Sequence, residues 1–151
     1  MMNVVLKEPL HLEPTTFVID DQVSQLLRRA YQRATAAFAD KFGADGLTPM
    51  QFAALCKLAD CGEVSQNLLG RMIAMDPATS QGVMRRLMDQ GLVSRRDDPQ
   101  DRRRTLLSLT AEGRKVLAAS TPLGQQITEV VLAPFSSSER ETFLALLRKI
   151  V

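Results

Sequence analysis

Side chains able to do chemistry are few in this chain of 151 residues: one histidine (His11), one tyrosine (Tyr31), no tryptophan and two cysteines (Cys56 and Cys61). A lone histidine near the start of a chain, with no nucleophile or carboxylate at a fixed spacing, is a poor general base. No paired carboxylates, metal-ligand spacing or glycine-rich phosphate loop stands out either. The sequence therefore argues against an enzyme and calls for no cofactor and no metal. What is concentrated instead is arginine. Residues 71–115 hold ten basic and six acidic side chains, the remainder nine and eleven, within a net charge of only +2. A local excess of that kind is the footprint of a surface that meets a polyanion, although a solvated face can carry it too.

Two short runs give the excess a pattern. In the first, Asp76 and Pro77 open a helix whose leading residues are small and mostly polar: Pro77, Ala78, Thr79, Ser80 and Gln81. Small side chains let a helix approach the floor of a major groove. Thr79, Ser80 and Gln81 would offer donors and acceptors to base edges, and Ala78 or the Thr79 methyl would meet a thymine methyl. Arg85 and Arg86 follow one turn later, within reach of phosphates or a guanine. The second run is Asp97 to Arg104, ending in Asp101, Arg102, Arg103 and Arg104. Three adjacent arginines repel one another unless an anion offsets them. An Asp101–Arg103 ion pair would hold one guanidinium at the tip for a narrow minor groove, with Arg102 and Arg104 on phosphate.

These runs need a scaffold, and hydrophobic spacing supplies one. Residues 1–19 read as an extended arm. Val23, Leu26, Leu27, Ala30, Tyr31, Ala34, Phe38 and Phe42 form one stripe of a long helix. Thr48, Pro49 and Gln51 start a second helix with a capping box, and Ser65 caps a short third over about 65–74. The arginine-bearing helix follows at about 76–90, with Gly91 as its stop. The period then drops to two over Val93–Arg96 and Thr105–Leu109, a hairpin. Thr110 opens a fifth helix in which Pro122 must kink or restart the chain. A second capping box at Ser138–Glu141 opens a last helix. The order is helix-turn-helix followed by a hairpin: a mainly α fold with a small β-hairpin wing, a winged helix-turn-helix. Helices one, five and six carry apolar stripes too long for so small a lobe to cover, which predicts a homodimer.

Leu92 to Arg104, followed by Leu107-Ser108-Leu109-Thr110-Ala111-Glu112-Gly113, resembles the wing of the MarR (multiple antibiotic resistance regulator) family. The segments Leu47–Phe52 and Leu132–Ser136 are similar to that family as well, so the resemblance spans about residues 20–151. It implies a ligand-responsive regulator, expected to be a repressor, that binds double-stranded DNA at a pseudo-palindrome as a homodimer. Residues 20–46 and 111–151 would dimerise, residues 47–110 would form the DNA-binding lobe, and Asp101 and Arg103 would take the family's wing positions. It further implies release by a small aromatic or heteroaromatic carboxylate or phenol. Met50, Phe52, Met72 and Met75 are candidates for an apolar wall, Arg29 for the carboxylate partner, and His11 for a ring hydroxyl or nitrogen. Each of these also reads as an ordinary core or surface residue. An oxidation-sensing thiol repressor and an architectural DNA-binding protein are the alternatives; Cys56 and Cys61, five apart on a helix, do not face each other and read as inert. With no apolar run of membrane length and no signal peptide, a cytoplasmic protein without a membrane partner is expected.

Overall fold

The computed structural model describes residues 18–101 and 103–151, so His11 and Arg102 lie outside the described residues. After a single 3-10 turn, Ile19–Asp21, the chain forms α1 (Val23–Phe42), α2 (Pro49–Cys61), β1 (Glu63–Ser65), α3 (Gln66–Met72), α4 (Pro77–Asp89), β2 (Val93–Asp97), β3 (Thr105–Leu109), α5 (Ala111–Leu132) and α6 (Ser137–Leu147). The fold is the expected one, mainly helical with a small antiparallel sheet. That sheet has three strands rather than two, in the order β1-β3-β2. Glu63 pairs with Ser108 and Ser65 with Leu106 on one side of β3; Val93 pairs with Leu109 and Asp97 with Thr105 on the other. Three residues are too few for an alternating pattern, so β1 is silent in the sequence; it exists because β3 offers it an edge.

The helix starts follow their chemistry. At α2 the Thr48 hydroxyl accepts from the Gln51 N–H while the Gln51 side chain accepts from the Thr48 N–H, a complete capping box with Pro49 inside. At α6 the box is Ser136 with Glu139, two residues earlier than the Ser138 start expected: the Ser136 hydroxyl accepts from the Glu139 N–H, and the Glu139 carboxylate accepts from the Ser136 N–H. The last helix stops at Leu147. Pro122 does not restart α5, which runs unbroken. Proline withholds an N–H from the Ala118 carbonyl, but Ala118 is exposed and water can take that acceptor.

Leu55, Leu58, Leu69, Met84, Leu87 and Leu107 are fully buried and join α2, α3, α4 and β3 into one core. At about 1.5–3 kcal/mol for each such side chain, this cluster holds the lobe together. The long helices differ: Phe38 is the one buried residue of α1, and α6 has none. The α1 stripe is left bare, with Val23 67% and Tyr31 58% exposed. Its upper end faces Phe135, Phe143, Leu146 and Leu147 across an apolar groove of about 650 Å³. Among the described residues no helix is long and apolar enough to cross a membrane.

A tight joint ties α5 to the lobe. The Thr110 hydroxyl donates to the Gly91 carbonyl (2.7 Å) and accepts from the Gly113 N–H (2.9 Å), and the Thr110 N–H donates to the Leu92 carbonyl (3.1 Å). Gly113 lies so close to that same carbonyl that a Cβ there would stand 2.0 Å from its oxygen.

Candidate nucleic-acid interface

The turn between α3 and α4 is built by backbone bonds. The Met75 N–H donates to Gly70 (2.9 Å) and the Ala74 N–H to Arg71 (3.2 Å), with Ala74 in the left-handed region at φ 52°. Asp76 then caps α4. Its carboxylate accepts from the Thr79 N–H (3.0 Å) and from the Thr79 hydroxyl, and these two bonds, the hydroxyl's first, hold it below the usual carboxylate range. Thr79 therefore has its hydroxyl proton committed to the cap and offers an approaching base an acceptor, not a donor.

Helical geometry sorts the rest of α4 into two faces. Pro77, Ala78, Thr79, Gln81, Arg85 and Arg86 are exposed, and Ala78, Gln81 and Arg85 stand three to four residues apart on one face. Val83, Met84 and Leu87 fill the other and are buried in the core. Ser80 belongs with them, which corrects its expected place at the groove floor. It is 5% exposed and packs on Gly70 of α3, so closely that a Cβ at Gly70 would stand 2.9 Å from the Ser80 Oγ. Among the described residues the Ser80 Oγ is the one buried side-chain polar atom with no hydrogen-bond partner. Its sequence neighbours are polar and outward, and only the helical phase relative to Val83, Met84 and Leu87 signals its inward position.

The wing tip is held by carboxylates, though not by the pair expected. Asp98 is buried; it accepts from the Gln100 N–H (2.9 Å) and lies 3.7 Å from the Arg104 guanidinium. Asp101 accepts from the Arg103 backbone N–H (3.0 Å), not from its guanidinium. A two-atom side chain reaches the N–H two residues on more readily than the end of a long arginine, which closes a turn. Among the described residues no carboxylate lies within 4 Å of the Arg103 guanidinium, which is exposed at the tip. At the base of the wing, Arg96 of β2 reaches across β3 to Glu63 of β1 with two hydrogen bonds, one of 2.7 Å, and the Arg96 bond keeps the Glu63 carboxyl low. This strut escapes sequence reasoning because it depends on β1. Arg71, near the end of α3, stands with Arg103 and Arg104 on one concave surface. Its only signal in the sequence is membership of the basic stretch.

Among the described residues, those expected to line an effector pocket are not gathered around one cavity. Arg29 is exposed on α1 and faces Asp20 at 3.5 Å. Phe52 packs against Phe38 and Phe42 at 6.0 and 5.5 Å between ring centres, and against Gly124 of α5. Met50 and Met75 lean on the lobe core, while Met72 is exposed on α3. Helical spacing set them on apolar faces, but those faces belong to different junctions. Cys56 is half-buried, and burial, helped by the Asp60 carboxylate, raises its thiol pKa; Cys61 is exposed at the end of α2.

Comparison with known proteins places these features among relatives. The model of the MarR family matches residues 47–105. The HTH-type transcriptional repressor NicR of Pseudomonas putida is 40% identical over 140 residues, 93% of this chain and 89% of NicR. The crystal structure of a probable transcriptional regulator from Pseudomonas aeruginosa superposes with a TM-score of 0.84 at 46% identity, covering 89% of this chain and all of that one. BpsR of Bordetella bronchiseptica, whose DNA binding is described as regulated by 6-hydroxynicotinic acid, superposes at 0.85 with 38% identity over 89% of this chain and 96% of BpsR.

Proposed function

The chain belongs to the MarR family of DNA-binding transcriptional regulators, and on that footing we propose that it is a dimeric repressor released from its operator by a small hydroxylated aromatic or heteroaromatic carboxylate. The observation that carries the DNA reading is the split of α4 into a buried apolar face and an exposed face of Ala78, Gln81 and Arg85. In this reading that face enters the major groove, Pro77 and Thr79 pack at its leading end, and Arg86 meets the flanking backbone. Asp101 shapes the tip, Arg103 enters the minor groove, and Arg102 and Arg104 meet phosphate. The bare stripe of α1 and the groove beside α6 are covered by a second copy, with residues 20–46 and 111–151 forming the dimer and 47–110 the lobe. Two lobes then read half-sites about 10 bp apart.

The effector class is supported by the similarity to BpsR over nearly its whole length. Its site lies, in this reading, where α1, α2 and α5 meet around Phe52. Ligand and operator are coupled through the Thr110–Gly113 joint, because any tilt of α5 moves Leu92 and the wing with it. The test is fluorescence anisotropy on a labelled duplex from the promoter of its own gene, titrated with 6-hydroxynicotinic acid. A coupling of about 1–3 kcal/mol would weaken binding roughly 5- to 150-fold. Operator affinity unchanged in the presence of a ligand shown calorimetrically to bind would refute the release mechanism.

A further inference from the structure

Two concavities flank α3 and share Asn67 and Arg71. One, of about 400 Å³, opens toward the wing, where Arg103 and Arg104 complete its wall with Ser65 and Gln66. The other, of about 350 Å³, opens toward the start of α4 at Pro77. No carboxylate lines either one. Arg71 is exposed, and among the described residues no carboxylate lies within 4 Å of it, so its charge is unneutralised beside two further guanidiniums. Arg104 is paired with Asp98, which leaves Arg71 and Arg103 as two uncompensated like charges on one concave surface, and an anion bound there relieves their repulsion.

From this we infer that Arg71, with Asn67 beside it, is the site where the sugar-phosphate strand separating the major from the minor groove crosses the protein. The inference rests on the DNA reading above and deepens it. If α4 occupies a major groove and the wing tip the adjacent minor groove, one strand of the duplex has to pass between those two elements. The two concavities share Asn67 and Arg71 as lining and between them reach from Pro77 to Arg103, the direction that strand has to take. The Asn67 amide supplies a neutral donor, and Arg71 supplies the charge-assisted bond to a phosphate oxygen. Arg71 would thereby set the register between base reading by α4 and minor-groove insertion by Arg103 without itself reading sequence.

The test is the salt dependence of binding by the full-length dimer. Wild type, Arg71→Gln and Arg71→Lys are titrated against the promoter duplex and a random-sequence duplex between 50 and 300 mM NaCl. Each phosphate contact contributes about 0.9 to the slope of log K against log salt. Losing one per subunit should therefore lower the slope by about 2 in Arg71→Gln. At 0.15 M salt the affinity should fall by about 30-fold, equally on both duplexes, and Arg71→Lys should restore most of the slope. Circular dichroism checks that the exposed substitution leaves the fold intact. A slope unchanged in Arg71→Gln, or a loss confined to the promoter duplex, overturns the phosphate crossing. Wild-type protein that binds neither duplex overturns the DNA reading itself.

Discussion

Ser80→Ala separates a base-reading serine from a packing serine. The Ser80 hydroxyl is buried against Gly70, and its Oγ has no partner among the described residues. A buried unsatisfied polar group costs about 1–3 kcal/mol. Alanine removes it and favours the helix over serine by roughly 0.5 kcal/mol. Against this stands the packing lost with one small atom at a contact that is already tight, so the net expectation is a gain of about 1–2 kcal/mol. For a chain of this size that is a rise in Tm of about 3–6 °C. Thermal unfolding followed by circular dichroism at fixed protein concentration measures it, the concentration being held because association shifts Tm. Operator affinity, measured beside it, should stay within about twofold, since no base edge can reach a side chain on the inner face. A lower Tm together with a loss of roughly 1–3 kcal/mol at one base pair would refute the reasoning. Ser80 would then face the groove, and the α3–α4 packing described above would be wrong.

Two further substitutions test the joints around the interface. Gly113→Ala places a Cβ 2.0 Å from the Leu92 carbonyl oxygen, and because the obstacle is backbone, α5 has to move. Denaturant unfolding should show a loss of about 2 kcal/mol or more, and operator binding should fall with it; a variant of wild-type stability would mean that α5 is not seated on the lobe at this point. Ala74 is held at φ 52°, a conformation that is costly for an L-residue and free for glycine. Ala74→Gly should stabilise the protein by about 0.5–1 kcal/mol after the extra entropy of the unfolded glycine is counted, and a loss of stability would show that the turn is not left-handed there.

Much of the candidate interface is legible in local sequence because its causes are local. Asp76 and Pro77 suit a helix start, as cap and first residue, and Thr48, Pro49 and Gln51 use the same chemistry at the start of α2. The change of period after Gly91 marks the wing, whose arginines are contiguous in the chain. Where reading failed, two segments compete for one group or meet only in space. Asp101 had two reachable partners, the Arg103 guanidinium and the Arg103 N–H, and the turn geometry chose the second. Glu63 and Arg96 are 33 residues apart and meet because β3 lies between them. The Met and Phe residues expected around one effector sit on apolar faces as periodicity requires, but which faces meet is not written in any one of them.

By itself, then, the sequence determined the order of the helices and of the wing hairpin, the polar and basic character of the surface proposed to meet DNA, and the excess of apolar stripe on α1. These depend on residue type and spacing along a single helix or strand. Tertiary structure alone decided that the inward Ser80 would meet Gly70 of α3. It also brought Arg71 beside the wing arginines and recruited Glu63 into a third strand. The physical reason is common to all three. A side chain's chemistry is fixed by its own atoms, but its neighbours are fixed by how rigid elements pack, and packing is settled by the whole core at once.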